Sequence, residues 1–333
     1  MHLPTPGRCT SLYGGLLMLG YIVKRLGISL IIIFIVTVFS FSIIHILPGD
    51  PARIALGEEA DQAAVDALRA EMNLDKPITT QYVLWIKGIL HGDFGMSIVE
   101  HRPVSRIISE RLPKTISLGV PALILSVSLG LLSGIISAIK RGKFVDQILT
   151  ICTTLAVGMP EFWLGVFGIF LFGLKLHLLP IQGYTAPSAD FTQFVRRAIM
   201  PVVCLAIHLI ASINRHTRAN LLEVINQDYV RTARANGIPE RTVILQHSLK
   251  NALIPVITMI ALQVRVVLGG SVIVEQVFNI TGIGLLLKTA VGNRDYLIIQ
   301  GCVLILSMIT VGCNFVVDLL YGVVDPKIRE SWR

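Results

Sequence analysis

Charge is scarce in this chain: Asp, Glu, Lys and Arg make up 15% of its 333 residues, against 53% hydrophobic residues. A soluble domain carries about 25% charged residues, so the shortage, with a mean hydropathy of +0.71, excludes an ordinary soluble domain and points to an integral membrane protein. The chain has no G-x-x-x-x-G-K-S/T phosphate loop, and so no visible cradle for nucleotide of its own. Cysteine is sparse as well. Cys9, Cys152, Cys204, Cys302 and Cys313 form no C-x-x-C pair and meet no His at metal spacing, so neither a disulfide scaffold nor a metal centre is expected, and the four outside the tail are read as small buried hydrophobes.

What is present is apolar length. Crossing a hydrocarbon core of about 30 Å takes roughly 20 helical residues, and six runs qualify: 26–47 (LGISLIIIFIVTVFSFSIIHIL), 115–139, 148–174, 198–214, 251–274 and 297–317. The expected fold is therefore an all-α polytopic membrane protein with six transmembrane helices. Basic residues stay on the cytoplasmic side of short loops. Lys24, Arg25, Lys140, Arg141, Lys143, the series from Arg215 to Lys250, and Lys327, Arg329 and Arg333 fall in one set of segments. The short segments of the other set hold only Lys175, Arg196, Arg197, Lys288 and Arg294. Both termini are thus predicted to be cytoplasmic. The net charge of +8 follows from topology and calls for no nucleic-acid partner.

Residues 1–25 form the predicted cytoplasmic tail. MHLPTPGRCTSLYGGLL lacks a small-residue cleavage site and does not read as a cleaved signal peptide. Residues 1–17 are expected either to be a disordered extension or to precede a true start at Met18, where MLGYIVKRLG supplies the inside anchor Lys24 and Arg25.

Two polar segments interrupt the apolar runs. Residues 48–114, holding ten of the 21 acids, are predicted to be an extracytoplasmic helical segment. Pro48, Gly49 and Pro51 end the first span, and Ala64, Leu68 and Met72 recur at helical spacing. It reads equally as a solvated cover or as a docking surface. The other polar segment is the loop 215–250 within the core 115–333. Helix formers run to Asn236, Gly237 acts as a helix stop, Pro239 opens a second helix, and an amphipathic run follows. By itself such a basic amphipathic loop could rest on anionic membrane lipid.

DYVRTARANGIPERTVILQHSLKNALIPV in that loop resembles the cytoplasmic coupling loop of permease subunits in ATP-binding-cassette importers, in the branch that imports dipeptides, oligopeptides, glutathione or nickel. YIVKRLG, ILPGDPAR, GDFGMSI, LPKTISLGV, MPEFWLG, LGGSVIVEQVFNITGIGLLL, NRDYLIIQ and VVDLLYGVVDPKIR are similar to the same family in the same order, over roughly residues 18–333. The resemblance implies a non-enzymatic subunit of the bacterial inner membrane, paired with a second, homologous permease. It implies two cytoplasmic ATPase subunits, which use the ATP and Mg, and an extracytoplasmic substrate-binding protein. It places ATPase coupling on Arg231, Thr232, Ala233, Arg234, Ala235, Asn236, Gly237, Ile238 and Pro239, with Ala233 and Gly237 small because the coupling helix must press into a cleft. The sequence departs from the wider pattern in three places: Arg231 stands where Glu is usual, Ile254-Pro255 lies farther from Gly237, and Thr281 replaces a rigidifying Pro.

Ionisable residues within spans are costly and are functional candidates by default. Arg265, deep in the fifth run, is disfavoured by at least about 2.5 kcal/mol on insertion scales. It either lines the pathway and meets a substrate carboxylate, or pairs with Glu161 or with the partner permease. Glu161, after Pro160, is a second pathway candidate. His208 is a third, more readily a hydrogen-bonded packing residue, and Gly269 and Gly270 are expected to permit close helix approach. An ion-driven secondary transporter would need midplane carboxylates and a repeat of broken helices. An intramembrane enzyme would need a nucleophile and base together. Neither set is visible. Within the importer branch, Arg265 favours peptides, with glutathione or nickel as the alternative cargo.

Overall fold

The computed structural model describes residues 9–46, 49–57 and 59–324. Pro48, the first eight residues of the tail, and Lys327, Arg329 and Arg333 lie outside the described residues. The described residues are mostly helical and contain no named strand. The first helix, α1 (Cys9–Ile46), begins well before the first apolar run. The expectation of an extension without structure up to residue 17 is therefore corrected for residues 9–17, where no Pro interrupts the helix after Pro6.

Three short helices follow: α2 (Pro51–Leu56), α3 (Gln62–Glu71) and α4 (Ile78–Leu90). Asp50 caps α2 by accepting the Ala52 amide at 3.3 Å, with Pro51 in the first turn. The α4 helix lies against the end of α1: the Tyr82 hydroxyl meets that of Thr37 at 2.8 Å, and the Gln81 side chain is 3.2 Å from His45 Nε2.

Five helices are long and apolar enough to cross a membrane: Ile22–Ile46, Val104–Ile139, Phe191–Ile225, Glu240–Val277 and Tyr296–Leu319. The apolar length for a sixth crossing is supplied by α6 (Phe144–Gly158) and α7 (Glu161–Gly168) together, the latter continued by a π-helical segment (Ile169–Lys175). This pair is bent by 102°, so the third predicted run is not one straight helix. Pro160 is the cause of the break. It cannot donate into the helix behind it, and it pushes the preceding Met159 into extended backbone at ψ 126°.

The second span, α5 (Val104–Ile139), starts inside the segment assigned outside the membrane, because Pro103 opens the helix there and Pro113 and Pro121 are absorbed within it. The fourth, α8 (Phe191–Ile225), is far longer than 198–214; Asp190 caps it by accepting the Gln193 amide at 2.9 Å.

The pair α5 and α8, which run parallel, forms the spine of the bundle. A Cβ added at Gly130 would lie 2.7 Å from Ile213 Cβ, and one at Gly134 would lie 2.7 Å from Thr217 Cβ. Small residues let the two backbones approach, which drives helix association where lipid is as apolar as the helix surface. Leu118, Ala122, Phe194, Leu205, Val274 and Phe278 make the main core. A second core joins α5 to α12 (Ile283–Gly292) and α13 (Tyr296–Val324) through Ile107, Ile283, Leu286, Tyr296 and Cys302. Outward-facing Phe34, Phe39, Leu132 and Ile151 are exposed, as side chains meant for lipid are. Cys152 is exposed too, contrary to the expectation of burial.

Alternation of the spans puts residues 49–103 at one end of the bundle and the 226–248 loop at the other. Gln81 lies beside His45 at one end of the Ile22–Ile46 stretch of α1, while Arg25 pairs with Asp318 near its other end, 2.9 Å away.

Candidate coupling loop and pathway residues

The loop is built by helix geometry. The helix α9 (Asp228–Ala235) turns Val230 and Ala233 inward, where they form a small core with Val243 and the half-buried Ile238. Tyr229 braces it from the side, donating its hydroxyl to the His247 carbonyl at 3.3 Å and accepting the Asn251 amide at 2.9 Å. Gly237 ends the helix at φ +76° and donates its amide to the Arg234 carbonyl at 2.9 Å, the left-handed stop for which glycine is suited. Pro239 precedes the one-turn α10 (Glu240–Thr242), and a π-helical segment (Val243–Ser248) leads into α11 (Leu249–Val277).

Arg234 and Glu240 staple the turn with two hydrogen bonds of 3.1 and 2.8 Å. The bond to Glu240 holds the Arg234 guanidinium above its ordinary pKa.

Of the nine predicted coupling residues, Arg231, Thr232, Arg234, Ala235, Asn236, Gly237 and Pro239 are exposed. Ala233 is only 9% exposed, with its small side chain packed in the loop's own core. Gly237 holds a left-handed backbone angle, and within this chain a Cβ there would meet nothing within 4 Å.

The three predicted pathway residues do not form one cluster. Glu161, at the first turn of α7, is half-buried and within electrostatic range of His208 on α8. His208 Nδ1 is buried and has no hydrogen-bond partner among the described residues, so the expected hydrogen-bonded packing role is not met at that atom. Arg265 lies elsewhere, exposed in a groove of about 720 Å³ between α1, α11 and α13 that includes neither of the other two. Among the described residues it makes no ion pair, and the expected alternative of a bridge to Glu161 is thereby removed. Gly269 lines the same groove with open space around it, so close helix approach occurs at Gly130 and Gly134 instead.

Two polar clusters escaped the sequence reading. At the loop end, Asp146 is 4% exposed and accepts from Arg218 Nε and Nη2, both at 2.9 Å, from the Gly142 amide at 2.9 Å, and from the Ser137 hydroxyl. These bonds tie α5, α6 and α8 together. At the opposite end, fully buried Glu275 accepts from the Thr115 hydroxyl at 2.6 Å and from the Leu285 amide at 2.8 Å, at the start of α12. Lys114 donates to the Thr281 hydroxyl at 2.8 Å, so the residue that replaces a Pro supplies its own tie to the turn. An acid at the end of an apolar run, followed by a glycine-rich turn and a short apolar helix, was the available signal for Glu275, because a carboxylate is stabilised at a helix N-terminus.

Residues 130–330 match the family described as binding-protein-dependent transport system inner membrane component, and residues 18–119 match the corresponding N-terminal component. The chain is 38% identical to a probable peptide ABC transporter permease protein of Sinorhizobium fredii, over 93% of this chain and 99% of the relative. It is 40% identical to glutathione transport system permease proteins of Shigella flexneri and Escherichia coli, over 94% of this chain and 99% of each relative.

Proposed function

The chain belongs to the family of binding-protein-dependent transport system inner membrane components, and from that membership we propose that it is the permease subunit of an ATP-binding-cassette importer for peptides. It forms half of the pathway beside a second, similar permease. Two ATPase subunits, which use the ATP and Mg, engage the cytoplasmic loop through the exposed residues of Arg231–Pro239. A binding protein delivers substrate at the end formed by residues 49–103. Both termini are cytoplasmic, and Arg265, Glu161 and His208 act along the pathway. The observation that carries this reading is the ordered match to both family regions, with near-complete coverage of relatives named as peptide and glutathione permeases. The glutathione relatives favour a second reading, in which the cargo is that modified tripeptide.

Purification of the tagged chain from its native membrane, with mass spectrometry of its companions, tests the assembly. A second six-span permease, one or two kinds of ATPase and ATP-dependent uptake of a peptide in reconstituted vesicles are expected. A chain that purifies alone in several detergents and transports without ATP would overturn the proposal.

A further inference from the structure

Arg265 is the seventeenth residue of α11 (Leu249–Val277), which at 1.5 Å per residue puts it about 24 Å from one end of that helix and about 18 Å from the other. It therefore sits in the middle third of that helix. The groove that exposes it extends along α11 from Thr258 to Val272, about 21 Å of helix. Ser29 on α1, Thr258 on α11, and Ser307, Thr310 and Asn314 on α13 add polar side chains to its wall. These form a polar strip in a wall that is otherwise apolar, with Ile28, Ile32, Val36, Leu262, Leu268 and Val272.

The groove has a single acidic residue, Asp318, and that carboxylate is paired with Arg25 at 2.9 Å near the loop end. Arg265 is thus a permanent cation in mid-helix, without an ion-pair partner among the described residues. A guanidinium keeps its charge and offers a planar fork of donors that fits a carboxylate with two parallel hydrogen bonds.

We propose that Arg265 recognises a carboxylate of the cargo, which makes the groove of α1, α11 and α13 selective for peptides with a free carboxylate over those whose carboxylate is capped. This rests on the peptide-permease reading above and adds the substrate class to it. The ground for assigning the anion to the cargo and not to the neighbouring permease is the line of hydroxyl and amide side chains that shares the groove with Arg265, donors and acceptors that a passing polar solute can use.

The test uses the complete transporter with its binding protein, reconstituted in vesicles, and two probes, trialanine and trialanine amide. The ratio of their uptake rates is measured for the native chain, Arg265→Gln and Arg265→Lys, so that selectivity due to the binding protein cancels. The expected result is a fall of at least about tenfold in that ratio for Arg265→Gln, equivalent to about 1.4 kcal/mol. Arg265→Lys should retain part of the preference. An unchanged ratio in Arg265→Gln overturns the inference while leaving the importer reading intact. Loss of the second permease from the purified Arg265→Gln complex also overturns it, by assigning the anion to the subunit interface. Absence of ATP-dependent uptake of both probes by the native transporter overturns the peptide reading and this inference with it.

Discussion

Thr115 donates its hydroxyl to the fully buried Glu275 carboxylate at 2.6 Å and at the same time accepts the Ile283 amide at 2.9 Å. One side chain of α5 thereby holds the end of α11 and the start of α12 in fixed relation. Twenty-two residues further along the same helix, Ser137 bonds to Asp146 in the cluster that also grips α8 through Arg218. That separation corresponds to about 33 Å, so α5 joins a polar lock at each face of the membrane. Because α8 runs on to α9, α5 links the loop at one end of the bundle to the turn before α12 at the other.

Thr115→Val keeps the shape of the side chain and removes both hydrogen bonds. Glu275 would retain backbone donors but lose its hydroxyl partner, and the Ile283 amide would be left unmet. The expected loss is about 1–3 kcal/mol. It should appear as earlier loss of monodispersity on heating in detergent, with Thr115→Ser close to the native chain. Equal behaviour of the Val and Ser variants would contradict the role given to the hydroxyl.

For the pair Asp146 and Arg218, the order of damage is the informative quantity. Removing Arg218 leaves a buried carboxylate with only Ser137 and the Gly142 amide as donors. Removing Asp146 leaves a guanidinium that is 32% exposed and can hydrate. Breaking a fully buried ion pair costs about 3–5 kcal/mol, and partial exposure of Arg218 lowers that figure here. Arg218→Ala should therefore destabilise more than Asp146→Ala, with the double variant less damaging than the sum. A double-mutant cycle on heat stability checks this, and additive losses would rule the coupling out.

Five of the six spans were readable because about 20 apolar residues in a row leave few alternatives to a membrane helix. The sixth was readable as apolar but not as bent. Pro160 signals a break, whereas its angle depends on the packing of α7 against α11, where a Cβ at Gly165 would stand 2.9 Å from Val277. The tie between Asp146 and Arg218 spans 72 positions, and no spacing rule links residues so far apart. That Ala233 packs into the loop's own core could not be read from its small size, which does not say which side of a helix points inward. Val230 three residues earlier, apolar and on the same face, was the available cue.

Gly134 predicts a packing defect of known position. Gly134→Leu would drive a side chain into Thr217 Cβ and the Asn214 carbonyl, which a Cβ there would already approach at 2.7 and 2.8 Å. Both belong to α8, so the helices must separate, and overpacking of this kind costs typically about 1–3 kcal/mol. Reduced yield of folded protein is expected, together with loss of ATP-dependent transport in whatever folds. The outward-facing control Leu132→Ala should leave both measures near the native level.

The coupling loop offers the sharpest separation between a folding role and a docking role, because neighbouring residues point opposite ways. Ala233→Glu would place a carboxylate against Val230 and Val243 in the loop's own core, where an unpaired charge is costly. It should loosen the loop, measurable as faster proteolysis between Arg231 and Lys250 in the isolated permease. Ala235→Trp adds bulk to an exposed position and should leave that digestion pattern unchanged. If the exposed face carries the ATPase contact, Ala235→Trp will nonetheless weaken recovery of the ATPase subunits with the tagged permease, by about tenfold if one central contact worth about 1.4 kcal/mol is lost. An Ala235→Trp complex with native subunit composition and native transport would mean that docking uses a different surface of the loop.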